Sequence, residues 1–247
     1  MREWIIGRNP IYEVLKASRR HAFQIQIAEK VQKKDRLAEV LRMSAEKKIP
    51  VKQVPRHDLD SRGGVHQGIA LECSGYPYSS LPNILTRAQK RQEPPLILIL
   101  DTLQVPQYLG TLLRTAEVVG VHGVLLPHRR TATVTSAVVS ASSGASEHLL
   151  IAQTNLAQAI QQLKEQGVWV VGLEDSPEAG LPNQTSLDGP LALVVGNENQ
   201  GMRKLVRKSC DLLLRLPMRG QVGSLNAAAA GSVGLYLVWQ ARGFAAD

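Results

Sequence analysis

The chain is poor in the residues that announce most kinds of chemistry. Among its 247 residues there are two cysteines, Cys73 and Cys210, far apart in the sequence. No CxxC and no Cys/His cluster has the spacing of a zinc site, so no metal is expected and both thiols are read as inert core residues. Aromatic residues make up 4% of the chain. That is too few for a sheet that displays several rings to RNA, as an RRM does. The dinucleotide fingerprint GxGxxG and the phosphate loop GxxxxGK[ST] are both missing, which removes the usual support for nicotinamide and ATP chemistry. HExxH and GxSxG are missing too. No apolar run reaches the roughly 18 residues of a membrane span. Met1-Arg2-Glu3-Trp4 does not open the apolar core of a signal peptide, so a cytoplasmic location is expected.

What is present is a globular composition, 44% hydrophobic and 20% charged. The formal charge is +8, and it is uneven. Residues 1–100 carry 18 Lys/Arg against 10 Asp/Glu, a net of +8, whereas residues 101–247 carry 11 of each. A basic front on a neutral back implies a polyanionic partner for the front, with nucleic acid favoured.

Periodicity divides the chain in the same place. Gly7-Arg8-Asn9-Pro10 breaks a short apolar start, and a helix is expected from Pro10 with Ile11, Val14 and Leu15 on one face. Phe23, Ile25 and Ile27 alternate as in a half-buried strand. Leu37, Val40 and Leu41 mark a second helix, with lysines and arginines opposite. Val51–Val54 and Ile69–Leu71 read as strands around a flexible basic loop, Arg62 to Gly68. These elements make a small α/β domain over residues 1–76. Prolines at 77, 82, 94 and 95 bound a linker, residues 77–94, with a short helical segment carrying Arg87, Lys90 and Arg91. From residue 95 to 247 the rhythm is that of an open parallel sheet. Strands are expected at Leu96–Leu100, Gly123–Leu126, Val168–Gly172, Leu191–Val195 and Leu212–Leu216. Helices are expected near Tyr108–Val119, Val134–Ser143, Leu156–Gln166, Met202–Lys208 and Asn226–Ala241.

Three stretches sit at the C-terminal ends of strands, where ligands gather in α/β sheets. The first is Pro106 to Ala116, which carries Arg114 on a helix. The second is Val195-Gly196-Asn197-Glu198-Asn199-Gln200-Gly201-Met202, with Glu198 between glycines. The third runs from Leu216-Pro217-Met218 through Gly220 and Gly223 to Ser224-Leu225-Asn226. Ser224 and Asn226 are both good N-cap types, and Ala227 to Ala230 are strong helix formers. Each stretch alone is more often structural; their order together is specific.

With these residues in place, the chain resembles the SpoU-type RNA ribose 2′-O-methyltransferases of the SPOUT class. It is most similar to the bacterial subgroup that methylates a guanosine of 23S ribosomal RNA. Gly7-Arg8-Asn9-Pro10-Ile11-Tyr12-Glu13-Val14-Leu15 looks like that subgroup's opening motif, and His66-Gln67-Gly68-Ile69-Ala70 like its second. The resemblance implies a small L30e-like RNA-binding domain, followed by a parallel-sheet domain tied in a trefoil knot. It implies S-adenosylmethionine held largely by backbone groups of Gly196, Asn197, Leu216, Pro217, Met218, Ser224, Leu225 and Asn226. It implies catalytic roles for Arg114, Glu198 and Asn226, RNA contacts at Arg8, Asn9, Arg62, His66 and Gln67, and a homodimer packed through its knots.

One motif departs from the pattern. The family's Asp-Pro-x-Asn-x-Gly is here Val105-Pro106-Gln107-Tyr108-Leu109-Gly110, an acid replaced by an apolar residue and a small amide by a phenol. Asn199 stands where glycine is common. The departures at Val105 and Tyr108 keep a second reading open, a protein that holds S-adenosylmethionine or RNA with little turnover.

Overall fold

The computed structural model describes residues 2–198 and 200–244. The chain forms two compact units. The first comprises residues 1–77 and 133–148, and the second residues 78–132 and 149–247.

The first unit is built on a four-stranded sheet in the order β1-β4-β2-β3. Its strands are β1 (Arg2–Ile6), β2 (Ala22–Ala28), β3 (Val51–Val54) and β4 (Ile69–Ser74). β4 runs antiparallel to both β1 and β2, and β2 and β3 are parallel. Strict alternation puts Ile5, Leu71, Ile25 and Ile27 on one buried face. α1 (Arg8–Ala17) and α2 (Arg36–Glu46) supply the buried residues Ile11, Val14, Leu15, Leu37 and Val40. α1 begins at Arg8, two residues before the expected Pro10, because Gly7 at φ 93° turns the chain directly into it.

The segment 133–148 was expected to lie wholly in the C-terminal domain, and the structure corrects that. Its helix α6 (Ser136–Ala141) and the 3₁₀ turn Ala145–His148 belong to the first unit. The reason is electrostatic. Arg20, buried, donates through Nε and Nη2 to the two carboxylate oxygens of Glu147, each at 2.8 Å. It also pairs with Glu3. Burial opposes the Arg20 charge, but the Glu147 hydrogen bonds and charge outweigh it and raise its pKa. Tyr76 donates to the Ser146 carbonyl at 3.1 Å, and burial pushes its phenol up to about 12.

The second unit carries a six-stranded parallel sheet, ordered β10-β8-β9-β5-β6-β7. The strands are β5 (Leu96–Leu100), β6 (Gly123–Pro127), β7 (Ile151–Thr154), β8 (Trp169–Leu173), β9 (Leu191–Val195) and β10 (Leu212–Leu214). β5, β6 and β9 are buried at every residue. That is why they read as unbroken apolar runs: helices cover both faces. One face takes Ile97, Ile99, Ala192 and Val194 against α7 (Leu156–Glu165), α8 (Lys204–Ser209) and α4 (Leu81–Arg91). The expected linker is therefore mostly α4, which is capped by the Ser80 hydroxyl and packs Ile84 where a side chain on Gly123 would sit. The opposite face takes α5 (Pro106–Val118) and α9 (Ala227–Ala241). A Cβ on Gly231 would lie 2.6 Å from Leu112 and 3.0 Å from Val195, so the helix's small stripe lets it approach α5 and β9. No helix among the described residues is long and apolar enough to cross a membrane.

Candidate active site

The sheet order places a crevice beyond the C-terminal ends of β8, β9 and β10, beside β5. β9 leaves the sheet at Gly196. The chain then doubles back as a tight loop in which Asn197 and Gly201 exchange backbone hydrogen bonds at 3.0 and 2.9 Å. A Cβ on Gly196 would meet the Gly201 carbonyl carbon at 2.3 Å, so only glycine permits the loop to close. Asn197 Nδ2 donates to the Thr102 carbonyl at 3.0 Å, which ties this loop to the end of β5. The buried Asp101 carboxylate holds the loop's exit, accepting from the Arg203 backbone N–H and from its Nε, both at 2.7 Å. On the other side Arg207 donates to Glu174 at 2.6 Å and Glu178 at 2.7 Å, which pins the segment after β8.

Beyond β10, residues 215–226 form an open loop that ends at α9. Asn226 is the N-cap. Its Oδ1 accepts from the Ala229 N–H at 2.8 Å, which leaves the side-chain amide free to donate outward. Ser224, the alternative cap, is exposed and outside the helix. The strand expected to reach Leu216 ends at Leu214, because Arg215 N–H turns aside to the Gly180 carbonyl at 3.0 Å.

These elements enclose a cavity of about 180 Å³. It is lined by Leu173, Glu174 and Asp175 after β8, by Val195 to Glu198 and Gly201 after β9, and by Leu214, Leu216 and Met218 after β10. Ser224, Leu225, Ala227 and Ala230 complete it. Six of the eight residues expected to hold a cofactor line it: Gly196, Asn197, Leu216, Met218, Ser224 and Leu225. Pro217 and Asn226 stand at its rim, in the same loop but not among the lining residues. Glu198 lines it too, and its Oε1, shielded from solvent, accepts from no described residue. Asn199 lies outside the described residues. Arg114 projects from the third turn of α5 and is exposed, outside the lining. Val105 is the residue before α5 and makes no capping bond, and Tyr108 is half-buried in its first turn; neither lines the cavity.

Residues 95–236 match the SpoU rRNA Methylase family, and residues 4–79 match the family described as RNA 2′-O ribose methyltransferase substrate binding. The chain belongs to the SpoU methylase family. It is thus an RNA methyltransferase by family. A Bacillus subtilis (strain 168) protein assigned to the TrmH family of tRNA/rRNA methyltransferases is 39% identical over 244 residues, covering 97% of this chain and 96% of its own. A Staphylococcus aureus relative with the same assignment is 38% identical over 240 residues, 96% of each chain. Among solved structures, the SpoU methyltransferase AviRb from Streptomyces viridochromogenes in complex with AdoMet superposes with a TM-score of 0.82 at 20% identity, covering 99% of this chain and 92% of that one. The AdoMet-bound rRNA methyltransferase from Sinorhizobium meliloti gives 0.79 at 22% identity, with 100% and 88% covered. These last two share the SpoU fold.

In the first unit the two front motifs of this SpoU member meet. The Arg8 backbone N–H donates to Gln67 Oε1 at 2.9 Å, and Arg8 Nε donates to the Gln67 carbonyl at 3.3 Å. Arg36 Nε donates to Asn9 Oδ1 at 3.2 Å, so Arg36, unforeseen in the sequence, joins Arg8 and Asn9. His66 is different. It is buried, its Nδ1 accepts from the Gly68 N–H at 3.0 Å, and its Nε2 lies 2.8 Å from Asp60 Oδ1. With both nitrogens engaged it shapes the turn and has no edge left for RNA. Arg62 lies over the Trp4 ring, 3.4 Å from its centroid. Asp101, Arg203, Glu174 and Asp175 escaped sequence reasoning. Each is a charge near an element's end, a pattern with many structural uses.

Proposed function

We propose that the chain transfers a methyl group from S-adenosylmethionine to a ribose 2′-OH of RNA, a guanosine of 23S ribosomal RNA being the preferred target. The observation that carries this is the cavity at the ends of β8, β9 and β10, which gathers the second and third motifs round one orphaned carboxylate oxygen. The residues present fit the cofactor. Leu173, Val195, Leu216, Met218 and Leu225 offer apolar walls for a flat base, and Asp175 offers an acceptor for sugar hydroxyls. Backbone groups of Gly196 and of residues 216–218 and 224–225 border the same space. The sulfonium, when bound, supplies a methyl carbon already activated toward nucleophiles.

The chain's task is then alignment and charge. The residues lining the cavity would hold the methyl donor in line with the ribose 2′-hydroxyl, which would have to pass its proton to solvent water as it is methylated. A guanidinium is a poor general base, so Arg114 acts by pairing with a phosphate and by stabilising the forming alkoxide. Glu198 and the free amide of Asn226 orient the ribose. Arg8, Asn9 and Gln67 engage RNA from the first unit.

A homodimer belongs to the same reading. α9 exposes Val233 and Tyr236, which with Leu237 and Phe244 line an apolar groove of about 340 Å³. We assign this groove to a second copy, and the knot to the loops around β10. Sedimentation should give twice the chain mass, and Tyr236→Lys should halve it.

The central test uses labelled S-adenosylmethionine with ribosomal and transfer RNA. Label should appear on a ribose of ribosomal RNA. Arg114→Ala should lower kcat by about 10²-fold or more, as loss of a charge-stabilising donor does, with cofactor affinity by calorimetry unchanged. Equal labelling by the variant would overturn the role of Arg114. Reverting Val105→Asp together with Tyr108→Asn separates the low-turnover alternative, which requires a large gain in rate.

A further inference from the structure

The first unit's sheet has a second face, and it is only half covered. Arg2, Trp4 and Ile6 alternate on it with Glu72 and Ala70 of β4, Gln24 and Gln26 of β2, and Lys52 of β3. The lower end is closed by α3 (Arg56–Asp60), whose Leu59 packs with Ile6, Ala28 and Ala70. α3 is a single short turn and reaches no further. The upper end stays open, with Arg2 62% exposed at its side chain and Lys52 exposed.

Two arginine–aromatic stacks stand there. Arg62 lies over Trp4 at 3.4 Å, and Arg2 lies over Phe23 at 4.0 Å. Phe23 is the extra residue of a β-bulge, between the pairs Ala22–Cys73 and Gln24–Glu72. A bulge of this kind re-aims one side chain, and here it delivers a ring to Arg2. Both guanidiniums are held in place. Arg62 donates to Gln26 at 2.7 Å, and Arg2 lies 3.4 Å from Glu72, which also accepts from Gln24 at 2.7 Å. Glu72 lies between Gln24 and Arg2, and the hydrogen bond from Gln24, then that from Arg2, hold it below the usual carboxylate range. Around it are Arg2, Lys52 and Arg62.

We propose that this open sheet face binds an unpaired stretch of the RNA substrate, with bases stacking on the Arg62–Trp4 and Arg2–Phe23 planes and Lys52 meeting a phosphate. The proposal rests on the RNA-methyltransferase reading and adds a contact surface to it. Planar guanidiniums fixed on rings offer flat cationic faces, which suit nucleobases. A duplex keeps its base faces stacked inside, so the strand must be unpaired. The charge complements a polyanion, since the whole surplus of the chain lies in its first 100 residues.

Full-length protein and an oligonucleotide from the methylated region provide the test. Ultraviolet crosslinking should join RNA to peptides that contain Trp4 or Phe23. Arg2→Glu with Lys52→Glu should raise the RNA KM about tenfold or more, at unchanged kcat and cofactor affinity. The charge-matched pair Lys47→Glu with Lys48→Glu, at the end of α2, should change it far less. Equal effects of the two pairs, or normal KM in the first, overturn the proposal while methylation stands. If the unaltered protein neither binds nor methylates RNA, the functional reading falls instead, and an acidic protein that occupies the face while RNA leaves no crosslink there would overturn this proposal alone.

Discussion

Val105 occupies the position where a helix most wants a side-chain acceptor, and it has none to offer. α5 opens on Val105 with no capping bond, and Pro106 follows at its first position. An aspartate there would accept from a free backbone amide of the first turn, worth about 0.5–2 kcal/mol. Val105→Asp should therefore raise the midpoint of thermal unfolding, measurable by calorimetry whatever it does to turnover. At this scale the sequence was informative wherever a residue's chemistry and its neighbours in the chain suffice. Gly196, whose loop closes only on glycine, is of that kind. It was uninformative where a side chain's role turns on three-dimensional geometry: that Asp60 and Gly68 occupy both nitrogens of His66 follows from the shape of the turn and not from the residue types. The same holds for Asp101, whose partner Arg203 is 102 positions away.

Among elements, α9 shows how structure and the proposed chemistry converge on one side chain. Asn226 caps the helix with its oxygen, and the proposed mechanism assigns its amide to the ribose. The two duties separate by substitution. Asn226→Asp retains a good capping acceptor and should leave stability within about 0.5 kcal/mol, whereas Asn226→Ala should lose about 1 kcal/mol. Both should lose methyl transfer, and an aspartate variant of full activity would remove the amide from the mechanism. β5 and β9 ended where their apolar runs ended, because both faces of each are buried. β7 was invisible, being four residues of which two are only half-buried. β1 opens on two adjacent charges, Arg2 and Glu3, and lacks the run length that marks a strand, so its pairing with β4 emerges only in three dimensions.

For the molecule as a whole, acid is the informative stress. His122 is buried, its Nδ1 accepts from the Leu96 N–H at 3.0 Å, and burial, followed by the charge of Arg91, lowers its pKa to about 4. The unfolded chain takes up this proton near pH 6.5 and the folded chain only near 4. The contribution is therefore complete above pH 6.5 and lost as pH falls toward 4, on the order of 3 kcal/mol. Denaturant titrations should show stability declining through that window, and His122→Asn, which keeps an acceptor for Leu96, should flatten the slope. The cysteines should stay silent throughout, since burial pushes both thiols up to about 12.

The chain visits the first unit twice, at residues 1–77 and again at 133–148. Cutting the polypeptide once in the stretch that joins the units therefore cannot yield two self-sufficient halves. A fragment ending at Pro77 would keep Arg20 buried with Glu3 alone and leave its bidentate partner Glu147 on the discarded piece. Limited proteolysis should accordingly release no stable front module that lacks residues 133–148.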